Sequence, residues 1–441
     1  MTTLRTLTLA ATLLSSAVFA ETYTILVSNR GTPAEAAAQK LANGTTVLAE
    51  VKFFKALNKA GELLKEGEHT VTIKLAGGQQ QTTQGNTGVF NVPVIDNAKA
   101  SLVIAGGWSP DFTKRDPFGA PSELITVATR PGAILEFAPK SVLNTLTISG
   151  LFFDAAPSNT YDSETNSLKK GGSRSYPHIA FQQVKVTKLT VTDSVFLNAA
   201  QGAFSPNITP IKDVSTVDIA NNIFLNNILV MKTETGGFGL KSMNLKGNSF
   251  LVNWPFNPDP DSSNVGAIEL YNKECCAELN VEGNLFAFNP GGAMQHDWAE
   301  DRMPKFRIKN NLFFMNATLF GDARGEAGLF AGKFGPSPKH LIITVDQAAD
   351  DYGYEMAGNV SFDPKVPVTL VDLKAADVSG VSAKKSVMND VRAMFGANQQ
   401  GGTVAIKNFA PRMAVDPRAL PFPKEPKAAA YGASKARVSA L

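Results

Sequence analysis

The most concentrated group of reactive side chains lies in residues 295–302. Within seven residues the sequence places the imidazole of His296, the indole of Trp298 and the guanidinium of Arg302, together with three carboxylates. Removing the proton next to a uronate carboxylate requires a base, a cation that stabilises the enediolate, and a platform for the sugar ring. His296 is the candidate base, Arg302 or Arg324 the candidate cation, and Trp298 the candidate platform. The alternative interpretation is a charged loop in which the histidine and the arginine pair with neighbouring carboxylates.

Two further groups of side chains extend this hypothesis. Trp254 and Tyr271 are aromatic residues in polar segments and are candidate sugar-binding residues. Asp259 and Asp261 alternate with prolines, and they are candidate ligands for calcium because calcium binds carboxylate oxygens. Two carboxylates are few for a calcium site, and alternating Asp and Pro is equally typical of an exposed turn. Calcium is therefore a candidate cofactor, with an exposed turn as the alternative.

The segments that carry these candidate residues lie between the copies of a short repeat. The fold of that repeat must therefore position them. Each copy has two apolar residues two positions apart, then Asn or Ser three positions later, then Phe two positions after that. The apolar pairs are Leu189/Val191, Val217/Ile219, Met243/Leu245, Leu279/Val281 and Phe306/Ile308. Alternating apolar and polar residues predict a strand with one buried face. In four of the copies a Gly or Asn follows and tolerates positive φ, which predicts a sharp bend after the strand.

The spacing of the copies predicts how they pack. They begin at residues 146, 189, 217, 243, 279, 306 and 354, so the intervals are 43, 28, 26, 36, 27 and 48 residues. The shortest intervals suffice for one coil of three short strands, and such coils bury their faces only by stacking. Stacking would place Phe over Phe inside the column and Asn over Asn at its corner. The longer intervals are predicted to carry insertions at turns, and His178 falls in the first of them.

This repeat resembles the right-handed parallel β-helix of the pectate-lyase-like superfamily, over roughly residues 45–375. The resemblance implies an all-β solenoid whose ligand groove is built by long turns on one flank. The superfamily includes polysaccharide lyases, hydrolases, epimerases and adhesins, and several of its lyases use calcium. The pair His296-Asp297 resembles the His-Asp step of mannuronan epimerases, which carry Asp-Pro before the histidine where this chain has Met294-Gln295.

The ends of the chain are predicted to differ from the repeat. Residues 1–20 have the pattern of a secretory signal peptide, which predicts a periplasmic or extracellular protein. Residues 21–66 are predicted to form an N-terminal cap that includes an amphipathic helix over residues 47–65. The parallel β-helix is expected to occupy residues 67–375. A C-terminal helix and an extended tail are expected over 376–441, with the tail as a strap over the last coil or as a disordered end.

Composition excludes some classes of function. The formal net charge is +3, from 42 basic and 39 acidic residues, and no basic stripe of the kind used to bind nucleic acid is present. No later run is long and apolar enough for a transmembrane segment in the mature chain. The two cysteines, Cys275 and Cys276, are adjacent and could close only a strained ring, which favours one buried thiol, with a redox-active or intermolecular pair as the alternative. The segment Ala105 to Pro117 resembles a phrase near the first coils of many secreted bacterial β-helix proteins, and in it Arg115 and Asp116 are expected to brace a long turn.

Two hypotheses of function follow. In the first, an exported β-helix protein binds a polysaccharide along its side groove and acts as a lyase or epimerase on a uronate polymer. In the second, the solenoid is a non-catalytic structural or adhesive component of the cell envelope. The aromatic and acidic insertions favour the first hypothesis. The second is favoured because no basic residues recur in phase from coil to coil. Whether the chain is an enzyme, and its oligomeric state, stay open at this point.

Overall fold

Three long sheets, called sheets 1 to 3 here, form the body of the protein in the computed structural model. The structure describes residues 20–29, 39–40, 44–82, 88–125, 133–155, 161–162, 167–168, 177–181, 183–199, 202, 204–205, 215–232, 240–253, 267–270, 276–287, 289, 292–296, 305–314, 316, 330–333, 340–343, 355–361 and 431–433. The chain passes from sheet 1 to sheet 2 to sheet 3 and back again in each coil. The predicted all-β parallel β-helix with an N-terminal capping helix is therefore confirmed.

Sheet 1 is the longest of the three and has twelve strands. In sheet order its strands are Gln39–Lys40, Thr45–Glu50, Thr22–Val27, Thr70–Ala76, Asp96–Trp108, Val142–Ser149, Lys185–Thr192, Thr216–Ala220, Leu240–Lys246, Cys276–Glu282, Lys305–Lys309 and Glu355–Ala357. Each copy of the repeat contributes its apolar pair to one of these strands.

Sheets 2 and 3 each have nine short strands. Sheet 2 consists of Gln80–Thr82, Ser122–Ile125, Leu151–Asp154, Val195–Leu197, Ile223–Leu225, Ser249–Leu251, Leu285–Ala287, Leu312–Phe314 and Val360–Ser361. Sheet 3 consists of Phe90–Val92, Leu135–Phe137, Ile179–Phe181, Phe204–Ser205, Met231–Lys232, Ile268–Leu270, Met294–His296, Phe330–Lys333 and His340–Ile343. Strand partners in the three sheets are parallel wherever the structure describes them, apart from the first pair of sheet 1 and the last pair of sheet 3.

The insertions of the first and last long intervals leave the coils at their turns, as predicted, where the structure describes them. The first long interval contains a small antiparallel hairpin, Tyr161–Asp162 with Ser167–Leu168, between a strand of sheet 2 and the next strand of sheet 3. The last long interval contains the antiparallel pair Phe330–Lys333 and His340–Ile343. Extra residues at these points leave the parallel pairing of sheet 1 intact on both sides.

A column of stacked phenylalanines runs through the interior. The rings of Phe153, Phe196, Phe224, Phe250, Phe286 and Phe313 lie face to face, with centroids 4.6–5.2 Å apart and planes inclined by 4–10°. All six side chains are almost completely buried. The parallel register of sheet 2 sets them directly above one another, so the predicted aromatic stack is confirmed.

Two ladders of asparagine side chains line the corners on either side of sheet 2. The predicted ladder contains Asn222, Asn248, Asn284, Asn311 and Asn359, in which each amide nitrogen donates to the next Oδ1 at 2.9–3.1 Å. A second ladder contains Asn227, Asn253, Asn289 and Asn316, joined at 2.8–3.2 Å. The sequence signal for the second ladder is an Asn three residues after the Phe in four of the five copies, whereas the first copy has Ala199 there.

The N-terminal helix covers the first coil. It spans Phe53–Leu63 and buries Phe53, Ala56, Leu57, Ala60 and Gly61. The predicted helical span was too long at its start, because residues 45–50 form a strand that pairs in parallel with Thr22–Val27. The ring of Phe53 lies 5.0 Å from that of Phe90 in the first strand of sheet 3, so the helix seals the open end of the core.

Candidate functional site

The outer face of sheet 1 carries an open groove of about 650 Å³. Nine of its eleven lining residues are polar or charged, and the lining comes from five successive strands. The lining residues are Thr190, Thr192, Asp218, Ala220, Asn244, Leu245, Lys246, Asn280, Glu282, Arg307 and Lys309. Because strand side chains alternate between the two faces, the apolar pairs of the repeat point into the core and the residues between and after them point into this groove.

Two parallel rows of side chains form the floor. The register of sheet 1 aligns Thr190, Asp218, Asn244, Asn280 and Arg307 as one row. The same register aligns a second row, which consists of Thr192, Ala220, Lys246, Glu282 and Lys309. Neighbouring strands of a sheet lie about 4.8 Å apart, so each row presents one side chain at that regular interval.

The first row is a chain of hydrogen bonds in one direction. Asn244 Nδ2 donates to Asp218 Oδ1 at 2.6 Å, and Asn280 Nδ2 donates to Asn244 Oδ1 at 2.7 Å. Arg307 Nη1 continues the chain by donating to Asn280 Oδ1 at 3.2 Å. A carboxamide has two N–H donors and two acceptor lone pairs. Among the described residues the row uses one of each in Asn244 and Asn280, which leaves a second donor and acceptor for a ligand.

The charges in the groove are balanced by ion pairs. Lys246 Nζ lies 3.3 Å from Glu282 Oε2. Arg307 lies between two carboxylates, 3.0 Å from Glu278 and 3.3 Å from Glu355. Lys309 also pairs with Glu355. Each lysine and arginine in the lining therefore has an acidic partner.

Hydrogen bonds fix the charge state of this cluster. The hydrogen bond that Arg307 donates to Glu278 raises the pKa of the guanidinium. The hydrogen bond that Lys309 donates lowers the pKa of the Glu355 carboxyl. Both shifts favour the charged forms at neutral pH. The groove is thus amide-rich, hydroxyl-bearing and close to electrically neutral.

Arg115 closes the N-terminal side of this region. Its Nε donates to Gly106 O at 2.9 Å, its Nη2 donates to Ser149 Oγ, and its Nη1 lies 3.7 Å from Asp193 Oδ2. Ser149 is the sheet neighbour of Thr192 in the groove. Burial lowers the pKa of Arg115, and the charge of Asp193 opposes this shift.

Asp116 holds the same loop from its other side. The backbone N–H of Gly119 donates to Asp116 Oδ1 at 2.9 Å. With Arg115 fastened to two coils and Asp116 closing the turn that follows, the predicted bracing of a long turn by these two residues is confirmed.

Most of the predicted site residues lie outside the described residues. These are Arg302 and Arg324 of the catalytic set, Trp298, Trp254 and Tyr271 of the sugar-binding set, and the calcium candidates Asp259 and Asp261. His296 is the last residue of the strand Met294–His296, where its backbone is the partner of Leu270, and its side chain is not among those described. Their convergence on one site therefore stays a prediction.

His178 differs from its predicted place in a polar insertion. It is completely buried next to the aromatic stack, with its ring centroid 5.9 Å from Phe153 and 5.7 Å from Phe196. Its Nε2 lies 2.7 Å from Leu197 O, whereas Nδ1 has no hydrogen-bond partner among the described residues. Burial lowers the pKa of His178 to about 4, so it is neutral at physiological pH and links two sheets of the core.

Comparison with known proteins adds no family to this picture. Searches against protein-family models, curated proteins and solved structures found no match for the chain. In the described part of the chain, no group of three or more His, Cys, Asp or Glu side chains could hold a metal ion. Within the same residues, no helix is long and apolar enough to cross a membrane.

The groove residues were not among the predicted site residues. Their sequence signal lies in the repeat itself, at the position between the two apolar residues, which holds Thr190, Asp218, Asn244, Asn280 and Arg307 in successive copies. A strand exposed on one face needs only polar residues there. What marks this position as a site is the hydrogen-bonded row from Asp218 to Arg307, and that row depends on the register of four strands.

Proposed function

We propose that this chain is an exported β-helix protein of the pectate-lyase-like kind that binds a polysaccharide along the outer face of sheet 1. The observation that carries the proposal is the row from Asp218 to Arg307, which offers hydrogen-bonding groups at a constant interval along an open groove. A polysaccharide chain is extended, rich in hydroxyl groups and periodic. The spacing of parallel strands, about 4.8 Å, is close to the length of one sugar unit in such a chain.

The charge of the groove favours a polysaccharide without many carboxylates. A polyanion would have to compete with the acidic partners of Lys246, Arg307 and Lys309. Hydroxyl groups can instead add to the existing network, because they both donate to carboxylates and accept from amides. We therefore propose a neutral, hydroxyl-rich glycan as the ligand of this groove.

A catalytic step would rest on other residues. The lyase or epimerase hypothesis requires His296 as base, Arg302 or Arg324 as the cation, and Trp298, Trp254 or Tyr271 as the sugar platform. Calcium held by Asp259 and Asp261 would belong to the same hypothesis. A uronate polymer is the substrate that this chemistry needs, so a neutral ligand in the groove and a uronate reaction in the loops are separate, testable proposals.

The proposed location follows from the first twenty residues. A signal peptide would deliver the mature chain to the periplasm or the cell exterior, where cell-envelope and extracellular polysaccharides are found. A non-catalytic adhesive or structural role in the envelope would use the same groove for binding alone.

Calorimetric titration tests the binding proposal. Fragments of neutral β-glucan and galactan are compared with polygalacturonate and alginate. We expect saturable binding of a neutral glycan, and we expect Asn280→Ala to weaken it about tenfold, since one hydrogen-bonding residue of the row is lost. The matched control is Lys99→Ala, which removes an exposed ion pair with Glu68 outside the groove and should leave affinity unchanged. Equal affinities for Asn280→Ala and the native chain would refute the groove as the binding site.

The catalytic hypothesis has its own readout. Incubation with uronate polymers, with and without a chelator, is followed by the absorbance of an unsaturated product for a lyase and by proton exchange at the sugar carbon for an epimerase. Loss of either signal in His296→Gln would support the catalytic role of His296. Absence of both signals in the native chain would leave the binding role as the function of this protein.

A further inference from the structure

From Leu151–Asp154 to Leu312–Phe314, the outer face of sheet 2 is mostly apolar and covered, whereas Gln80 and Thr82 on the same face of the first strand are exposed. Nine outward apolar side chains of the covered part are at most 1 % exposed. They are Phe152, Val195, Leu197, Ile223, Leu225, Leu251, Leu285, Ala287 and Leu312. This face contrasts with the outer face of sheet 1, where polar side chains meet solvent.

These residues are not part of the interior core. The phenylalanines that alternate with them, such as Phe224 and Phe250, point inward and stack inside the coils. Because successive side chains of a strand point to opposite faces, Ile223, Leu225 and Leu251 must point away from the coils. An apolar surface of this size on the outside of a solenoid requires a partner that removes it from water.

The C-terminal segment contacts this face. The backbone N–H of Gly432 donates to Gly283 O at 2.9 Å, and the backbone N–H of Ala433 donates to Ser249 Oγ at 3.0 Å. Ala433 is only 3 % exposed. Ser249 begins a strand of sheet 2, and Leu285 occupies the same position in the next coil. We call residues 431–433 the clasp.

Gly432 is the residue on which this contact depends. Its φ is +78°, a conformation that favours glycine. A Cβ atom at this position would collide with Ser249 Oγ and lie 3.1 Å from Leu285 Cβ. Any other residue would therefore be strained and would push the clasp away from sheet 2.

The geometry points to an interaction surface: we propose that the outer face of sheet 2 is a docking site for the C-terminal segment of the same chain, and that the clasp holds that segment in place. Apart from residues 431–433, the predicted C-terminal helix and strap lie outside the described residues. Gly432 and Ala433 lie on the flank, over the coils that contain Ser249 and Leu285, and not over the final strand Val360–Ser361. Release of the clasp exposes an apolar face through which a second copy can associate.

A pair of glycine variants in the full chain tests this proposal. Gly432→Ala adds both the backbone strain and the collision with Ser249. Gly247→Ala is the matched control, because Gly247 has a similar φ of +59° but open space around the added Cβ. The readouts are the hydrogen exchange of residues 431–433, tryptic cleavage after Lys427 and Lys435, binding of an apolar dye, and the mass in solution as a function of concentration.

We expect Gly432→Ala to speed exchange and cleavage about tenfold, because both follow the population of the released state. Dye binding and self-association should rise in parallel. Equal values for Gly432→Ala and Gly247→Ala would overturn the proposal.

Ser249→Ala decides the question if Gly432→Ala does not fold. This variant removes the acceptor of the Ala433 N–H without adding a collision. We expect hydrogen exchange and tryptic cleavage to rise less in Ser249→Ala than in Gly432→Ala. Native values for this variant would overturn the proposal.

Discussion

Asn284 and Asn311 are joined by two hydrogen bonds to one oxygen. The backbone N–H and the Nδ2 of Asn284 both donate to Asn311 Oδ1, each at 2.9 Å. Asn284 Nδ2 also donates to Leu245 O, at 2.8 Å. One buried amide thus links three coils through donors and acceptors that the bend would otherwise leave unpaired. The same arrangement recurs at Asn248, so the corner is fastened coil by coil.

Replacement of one member of this ladder should destabilise the fold strongly. Asn284→Ala leaves Leu245 O without its donor and removes the acceptor of both N–H groups that Asn248 directs at it. We expect the free energy of unfolding to fall by about 4 kcal/mol, because several buried polar groups lose their partners. Urea denaturation measures the change. The matched control is Asn244→Ala in the half-buried outer row, for which a loss of about 1 kcal/mol or less is expected.

The aromatic stack should be equally sensitive to truncation. Phe250 lies between Phe224 at 5.0 Å and Phe286 at 4.6 Å, with all three rings nearly parallel. Phe250→Ala is expected to lower the free energy of unfolding by about 4 kcal/mol, since it opens a cavity between two rings that cannot close together. Val94→Ala, at a site that is 49 % exposed, is the control and should change it by about 0.5 kcal/mol or less. Similar losses in the two variants would contradict the stack as a source of stability.

Burial of His178 predicts that the fold weakens in mild acid. Burial lowers the pKa of His178 to about 4 in the folded chain, against an ordinary value of 6.5. Above pH 6.5 the imidazole is neutral in both states, so its contribution to stability is fully present. As the pH falls towards 4, the imidazole of His178 becomes protonated in the unfolded chain but stays neutral in the folded chain. The free energy of unfolding should therefore drop by about 1.4 kcal/mol per pH unit in this window from His178 alone.

His178→Gln separates this contribution from that of other groups. Glutamine retains an N–H that can donate to Leu197 O but does not titrate. Urea denaturation of both proteins between pH 4 and 6.5 should show a shallower pH dependence for the variant. Parallel curves for the two proteins would show that His178 is not the source of acid sensitivity.

The contacts of Arg115 predict that a lysine at this position gives a less stable fold than the arginine. Its guanidinium reaches Gly106 O, Ser149 and Asp193 at the same time. A lysine ammonium is a point donor and cannot keep this forked geometry. Arg115→Lys should therefore lower the free energy of unfolding by about 2 kcal/mol in urea denaturation. Lys114→Ala, at the exposed neighbouring position, should change it by about 0.5 kcal/mol or less, and a larger effect there would contradict the role of Arg115.

The repeat alone determined the architecture. The copies recur at about the length of one coil, and each has an apolar pair followed by an Asn-x-Phe phrase. These features require parallel stacking, because equal residues then share one environment in every coil. The phenylalanine stack and the Asn284 ladder were predictable for that reason. The start of the capping helix was not, since the apolar residues at 47 and 51 fit a helical pattern although residues 45–50 pair with Thr22–Val27 as a strand.

The tertiary structure decided which polar residues act together. His178 is polar in sequence and sits among polar residues, yet the turn before Ile179 directs it into the core. The row from Asp218 to Arg307 joins side chains from four strands, and only their register brings an amide nitrogen to within hydrogen-bonding distance of the next oxygen. Gly432 lies 149 residues from Gly283 along the chain, a separation at which local sequence patterns carry no information on contact. The sequence therefore determined the column, because its cause is local and repeated, whereas the groove and the clasp depend on distances that exist only after the coils have stacked.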